Sequence, residues 1–400
     1  MTIIKGGGIC SPIGFKSSAI SAGIKNNSKK DLCILLSDSP AEVAATFTKN
    51  KVIAAPVRIC KKIIKNSNKI NGIIVNSGNA NACTGKKGLK DCEYIINYYE
   101  NKFNLPTNTL LVASTGVIGE YLPKDKFIDG LGELKSNLQK DSSGFAEAIL
   151  TTDKFTKKLA LSIDTGHGKY TIGSTAKGAG MIAPNMATML AFITTDAKID
   201  PQSMKKYLKK AVNNSFNIIT VDGDMSTNDS VFLFSNGCSK IKIKSKKDKV
   251  IFINALTFLC LELAKMIVKD GEGATKCVKI IVKNAISRKD ADKCAFKVAQ
   301  STLVKTMFFG EEPNWGRIMA AAGASRISFN PEKTDIYFDK ILYVKNGQQI
   351  KSELEKEVHK IMKKKEYAIT IDLKSGSYSH SLFTSDLTHE YIKINSSYKT

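Results

Sequence analysis

One stretch constrains the fold more than any other: Ala176-Lys-Gly-Ala-Gly-Met-Ile-Ala-Pro-Asn-Met-Ala-Thr-Met-Leu-Ala-Phe-Ile-Thr-Thr-Asp196. A glycine-rich turn leads to Pro184, then to small residues, then to an unbroken apolar run. Residues 189–193 predict a buried strand, because a strand that is apolar on both faces must be covered on both. Thr188 then stands at the entrance of an interior strand, directly after Ala187. A hydroxyl in such a place is costly unless it is used.

Short β-type runs recur at 33–36, 72–75, 109–113, 278–282 and 368–373. Helical patterns lie at 90–99, 130–139, 203–212, 251–268 and 289–301. This mixture predicts an α/β protein with mixed α+β layers. Several runs end in Gly-rich or Asn-rich turns, where binding residues usually sit. With 400 residues, 42% of them hydrophobic, the chain has material for two cores. Residues 250–268 are the most apolar long stretch, but Asn254, Glu262 and Lys265 interrupt it. An amphipathic helix is expected there rather than a membrane span. The N-terminal residues lack a signal-peptide apolar core, so a soluble, cytoplasmic protein is expected.

The 60 basic and 37 acidic residues give a net charge of +23, which by itself suggests a polyanionic partner. Only Arg58, Arg288, Arg317 and Arg326 are arginines. Base-reading and phosphate-clamping surfaces favour the guanidinium fork, so the spread-out lysines predict a solvated surface and no nucleic-acid partner. Nine cysteines at irregular spacing contain no CxxC pair, and are expected to be small buried hydrophobes in a reducing compartment. The four histidines, His167, His359, His380 and His389, show no metal spacing, so neither a zinc site nor a Ser-His-Asp triad is expected. Gly78-Asn-Ala-Asn-Ala-Cys-Thr-Gly85 has the wrong spacing for a P-loop, and Gly271-Glu-Gly-Ala-Thr-Lys276 lacks the third glycine of a dinucleotide loop. Asp222-Gly-Asp-Met-Ser-Thr-Asn-Asp229 lacks the sixth-position glycine of a calcium loop and reads as a hydrogen-bonding turn.

A chain short of histidine can still transfer acyl groups through an N-terminal threonine, whose own α-amine serves as the base. That amine has an ordinary pKa near ~8. An interior Thr188 would need a free amine, which requires attack of its hydroxyl on the Ala187 carbonyl, an N-to-O acyl shift and hydrolysis of the ester.

These residues resemble a family. Lys177-Gly-Ala-Gly-Met-Ile-Ala-Pro-Asn-Met-Ala-Thr-Met-Leu190 is similar to the cleavage segment of the ornithine acetyltransferases, or bifunctional glutamate N-acetyltransferases, of arginine biosynthesis. Upstream, Asn76-Ser-Gly-Asn-Ala-Asn-Ala-Cys-Thr-Gly85, Ala113-Ser-Thr-Gly-Val-Ile-Gly119 and Thr151-Thr-Asp153 follow the family pattern. Downstream, so do Thr220-Val-Asp-Gly-Asp224, Ser226-Thr-Asn-Asp229, Asp270-Gly-Glu-Gly-Ala-Thr-Lys276, Pro313-Asn-Trp-Gly-Arg317 and Ile394-Asn-Ser-Ser-Tyr-Lys-Thr400. The set runs in family order along nearly the whole chain. Met225 stands where the family more often has threonine, and Ile218 where arginine is common.

The resemblance implies a two-domain, N-terminal-nucleophile-like fold that processes itself, with cleavage between Ala187 and Thr188. The α chain would be residues 1–187, carrying the oxyanion-hole residues Thr115 and Gly116. The β chain would be residues 188–400, beginning with the nucleophile Thr188. The implied substrate contacts are Thr151 or Thr152, with Lys177, Thr188, Glu272, Asn395 and Thr400. The implied reaction is ping-pong transfer of acetyl from N-acetylornithine to glutamate, with acetyl-CoA as a second candidate donor. No cofactor and no metal are implied, and the assembly would be an α2β2 heterotetramer. An amidase passing the acyl group to water and a basic nucleic-acid-binding protein are the rivals. The first predicts free acetate, and the second predicts steeply salt-dependent binding and one intact chain.

Overall fold

The computed structural model describes residues 1–25, 28–67, 69–183 and 189–397. Two sheets carry the architecture. The first contains β1 (Thr2–Ile3), β2 (Phe15–Ile20), β3 (Leu32–Phe47), β4 (Lys69–Asn79), β5 (Leu110–Val117), β6 (Lys157–Asp164), β7 (Lys169–Lys177) and β8 (Leu190–Thr195), and is completed by β10 (Ser230–Ser235). Its order is β1-β6-β7-β8-β10-β3-β4-β5, with β2 also paired to the long β3. The second sheet contains β9 (Ile219–Thr220), β11 (Cys277–Ala285), β12 (Asp335–Phe338), β13 (Ile341–Lys345), β14 (Gln348–Gln349), β15 (Glu366–Asp372) and β16 (Tyr378–Ser385).

The apolar run expected to be an interior strand is β8. It lies between β7, antiparallel, and β10, parallel, with Leu190 opposite Ser230. Side chains alternate across a strand, and both strands show it. Leu190, Phe192, Phe232 and Phe234 enter one core, while Ala191, Ile193, Val231 and Leu233 enter another. The Phe192 and Phe232 rings stack with centroids 5.8 Å apart. A strand buried on both faces favours apolar residues at successive positions, which accounts for the run at 189–193. The buried Thr194 and Thr195 that follow donate their hydroxyls to backbone carbonyls.

Helices α1 (Ala55–Asn66), α2 (Gly85–Lys102), α3 (Lys124–Ser136) and α4 (Ser143–Ala148) contribute to the first core. On the opposite face lie α5 (Pro201–Asn213) and α6 (Lys246–Lys269). Helix α6 packs on β6 and β7 of one sheet and on β16, β9 and β11 of the other. A helix held between two sheets has apolar neighbours on most of its surface. This accounts for a stretch long and apolar enough to cross a membrane by length and composition. Ser245 caps it with a reciprocal capping box to Asp248.

A third core joins the second sheet to α7 (Arg288–Ala299), α8 (Thr302–Gly310), α9 (Trp315–Gly323) and α10 (Leu354–Met362). The C-terminal α11 (His389–Ser397) lies near the end of the chain. The α/β layering expected from the sequence is thus observed, with three large cores rather than two. The extra core exists because α6 separates the sheets. The cysteines are buried at seven positions, but Cys83 is exposed and Cys238 is half-buried.

Candidate functional site

A cavity of about 340 Å³ opens where the ends of β5 and β7 meet the turn after α6, the loop before β10 and helix α11. Thr115, Gly116, Thr151, Thr152, Lys177, Glu272 and Asn395, all expected from the sequence, line it together. Thr188, Ala187 and Thr400 lie outside the described residues. Gly180 and Met181, which lead toward Thr188 in the chain, also line the cavity.

Thr115 and Gly116 end β5 beside β4, where the register shifts at Gly78 and Asn79. Gly116 has φ +130°, and a Cβ there would come within 2.4 Å of the Gly78 carbonyl carbon. Only glycine allows this approach of two backbones. Asn228 fastens the region by donating from Nδ2 to the carbonyls of Ala80 (2.7 Å) and Ser114 (2.9 Å).

Lys177 ends β7 with its ammonium buried. Nζ donates to Thr151 Oγ1 at 2.8 Å and to Thr115 Oγ1 at 3.3 Å, and stands 3.9 Å from Asp153 Oδ2. Burial lowers the Lys177 pKa from the ordinary lysine value, against the attraction of Asp153. Burial also acts to raise the Asp153 pKa. The Lys177 and Lys157 charges outweigh it and hold the carboxylate well below its usual range. Lys157 is fully enclosed and bridges Asp153 Oδ1 (2.7 Å) to Asp270 Oδ2 (2.5 Å). Asp153 Oδ1 further accepts from the Gly178 amide at 2.8 Å, and both Asp270 oxygens accept from the Lys154 amide at 3.1 Å.

Glu272 follows Asp270 in the turn after α6. Its Oε1 accepts from Thr152 Oγ1 at 2.6 Å, and its Oε2 from Asn395 Nδ2 at 2.8 Å. A Cβ at Gly180 would lie 2.4 Å from the Glu272 carboxyl carbon, so glycine there makes room for the carboxylate. The expected alternatives of Thr151 and Thr152 both hold a place: one faces Lys177, the other Glu272.

Two further carboxyls bind backbone amides that flank the segment 184–188 in sequence. Asp222 accepts from the amides of Met181 (2.6 Å) and Ile182 (2.8 Å). Met181 is left-handed at φ +57°, a strained conformation for a side-chain-bearing residue. Burial raises the Asp222 pKa to about 6, although three backbone amides donate to it. On the far side, Asp229 Oδ1 accepts from the Met189 amide at 3.0 Å. Its Oδ2 is buried and without a hydrogen-bond partner among the described residues. Burial pushes the Asp229 pKa well above the usual carboxylate range. Tyr391 lines the same cavity, and burial together with Asp222 pushes its phenol well above its ordinary value.

Sequence reasoning gave no role to Asp153, Lys157, Asp222, Asn228, Asp229, Asp270 or Tyr391. Asp153, Asp222, Asn228, Asp229 and Asp270 sit inside the recognised motifs, so motif membership was a usable signal. Lys157 and Tyr391 had none. The segment Asp222–Asp229 is a hydrogen-bonding turn as expected, and among the described residues no group of carboxylates, histidines or cysteines is arranged to hold a metal. No described histidine lines the cavity. Met225 does line it, so one of the two departures from the family pattern falls at the site.

The fold and cavity define an α/β enzyme whose site combines hydroxyls, a buried lysine and carboxylates. The ArgJ family matches residues 16–400, and the chain belongs to that family. It is 44% identical over 390 residues to a Geobacter sulfurreducens protein named arginine biosynthesis bifunctional protein ArgJ, covering 97% of this chain and 99% of that one. It is 43% identical over 405 residues to a glutamate N-acetyltransferase of Methanocaldococcus jannaschii, covering 98% and 99%. A crystal structure of the ArgJ protein of Bacillus halodurans is similar at 40% identity and a TM-score of 0.45, over 46% of this chain and 97% of that one. The family belongs to arginine biosynthesis, and its chemistry is acetyl transfer.

Two outcomes are expected from the flanking carboxyls. Asp229→Ala leaves the buried Met189 amide unpaired and should cost about 1–3 kcal/mol in denaturant unfolding, whereas Asp229→Asn retains an acceptor and should cost less. The Asp222 carboxyl, raised when folded, adds stability that is complete below its unfolded pKa of about 3.9 and is lost as pH rises through about 6. Unfolding followed across this window should show the decline, and Asp222→Asn, which carries no titrating proton, should flatten it.

Proposed function

We propose that this chain moves acetyl from N-acetylornithine to glutamate through an acetyl ester on Thr188, after cutting its own backbone between Ala187 and Thr188. The observation that carries the reading is the convergence of seven expected site residues, drawn from both sides of residue 188, on one cavity. A site of this volume suits an amino-acid-sized substrate.

The chemistry is distributed as follows. The freed Thr188 amine takes the hydroxyl proton while Oγ attacks the acetyl carbonyl carbon. Thr115 and Gly116 steady the oxyanion, with the Lys177 ammonium beside the Thr115 hydroxyl. The acetyl C–N bond breaks, the proton passes to the leaving nitrogen, and ornithine departs. The glutamate amine then attacks the ester, the C–O bond breaks, and Thr188 recovers its hydroxyl proton. Lys177 suits a substrate carboxylate, and Glu272, held by Thr152 and Asn395, suits a substrate ammonium. Removing one oxyanion donor typically costs roughly 10²–10³ in rate. Thr400 joins the substrate contacts from the C-terminal tail.

The finer reading is a protomer of residues 1–187 and 188–400, paired as α2β2, working in the cytoplasm, with acetyl-CoA as a second donor. Cleavage would leave β7 on one chain and β8 on the other, joined by their ladder. The pieces would therefore stay together as one fold. The Met181 strain and the Asp222 and Asp229 clamps on either side of the segment support a backbone prepared for scission.

A denaturing gel with N-terminal sequencing tests the proposal. Two fragments are expected, the second beginning at Thr188, and Thr188→Ala should give one uncut chain without acetyl transfer. An active enzyme with an unbroken chain would overturn it.

A further inference from the structure

A concavity of about 1300 Å³ is lined by a different set of residues from the catalytic cavity. It runs between the later turns of α5, the segment at Asn217 and Ile218, helix α7 and the residues after α9. Six lysines and two arginines line it against a single acid, Asp292. The whole chain has 60 basic to 37 acidic residues, so this cleft is far more basic than the background. Arg288 and Arg326 are two of only four arginines in the chain.

These cations lack the partners that lysines have elsewhere in the fold. Among the described residues none of the eight is in an ion pair, whereas Lys157, Lys276 and Lys374 each hold a carboxylate within 2.7 Å. The one acid, Asp292, lies 2.8 Å from His380 Nδ1. Clustered like charges repel one another, and an added polyanion relieves that repulsion. Arginine forks match phosphate oxygens with two parallel hydrogen bonds.

The floor adds a second requirement. The Phe296 and His380 rings lie 5.9 Å apart, and the His380 side chain is only 9% exposed. His380 Nε2 is buried and has no hydrogen-bond partner among the described residues. An aromatic face with one unsatisfied ring nitrogen suits a planar base that also offers a polar edge. A bare phosphate would leave both the ring face and most of the volume unused.

We propose that this cleft binds a nucleotide carrying several phosphates, with the phosphates on Arg288, Arg326 and the neighbouring lysines and the base against Phe296 and His380. No phosphate-loop motif announces it, because side-chain charge rather than backbone amides makes the site. The cleft adjoins the catalytic cavity through one wall. Gln300 lines the cleft and its side chain lies beside Gly223, whose neighbours Asp222 and Asp224 line the catalytic cavity. The same chemistry could come from a free nucleoside triphosphate or from the nucleotide portion of coenzyme A. The site goes beyond the acetyl-transfer reading and stands without it.

Calorimetric titration of the full-length protein with ATP, coenzyme A, inorganic tripolyphosphate and a single-stranded oligonucleotide, at about 0.15 M salt, tests the proposal. ATP or coenzyme A should bind more tightly than tripolyphosphate, and Phe296→Ala should erase that preference. Arg288→Glu with Arg326→Glu should weaken nucleotide binding by at least about tenfold, as expected for lost charge-assisted phosphate contacts. Arg288→Gln with Arg326→Gln, a gentler pair, should shift it in the same direction. Lys61→Glu with Lys65→Glu on α1, an equal change in charge, should leave binding unchanged. Tighter binding of coenzyme A assigns the cleft to an acyl donor's nucleotide, and tighter binding of ATP assigns it to a free nucleotide. Absence of nucleotide binding, equal weakening by the α1 pair, or binding of the oligonucleotide alone would overturn the proposal.

Discussion

Lys157 is the interaction on which the site depends. Its ammonium is completely enclosed and holds Asp153 with one contact and Asp270 with another. Asp153 reaches the Gly178 amide and the vicinity of Lys177, while Asp270 sits two residues before Glu272. One buried cation thus sets the distance between the lysine side and the carboxylate side of the cavity. Buried ion pairs add little net stability because desolvation offsets attraction, but removing one partner leaves an uncompensated charge. The network is accordingly a positioning device, and its presence explains why a lysine with no exposure is retained at the root of β7's partner strand.

The layered fold supplies the rest of the geometry. Sheet one delivers Thr115, Gly116 and Lys177 from strand ends, and the turn after α6 delivers Glu272. Because α6 is packed on both sheets, the second sheet and α11 are fixed relative to the first, and Asn395 can reach the Glu272 carboxylate. The segment around residue 188 lies between two backbone clamps, Asp222 on Met181 and Ile182, and Asp229 on Met189. Burial pushes the pKa of both carboxyls upward, toward the neutral form.

Much of this was legible in the chain. Each of the five strand runs and five helical patterns named from periodicity overlaps an observed element, and the four at 109–113, 368–373, 130–139 and 289–301 overrun one end of theirs by one to three residues, because period 2 and period 3.6 register on burial but element ends do not. The β8 strand was readable because burial on both faces leaves an unbroken apolar run. The site residues were readable through motif resemblance, and seven of them converge. The ion network was less legible. Lys157 is one lysine among many, and its burial follows from the pairing of β6 with β7, a contact that no local pattern encodes. Tyr391 reaches the cavity only because α11 docks there. The basic cleft was invisible for a related reason: α5, α7 and the end of α9 are far apart in sequence, so their cations read as scattered surface charge until the fold brings them together.

The most direct measurement is the intact mass of the fragment beginning at residue 188 after incubation with N-acetylornithine alone. The account predicts one added acetyl group, located on Thr188 by fragmentation, that disappears when glutamate is supplied and N-acetylglutamate is formed. Steady production of N-acetylglutamate while that fragment never carries an acetyl group, or carries it on another residue, would contradict it.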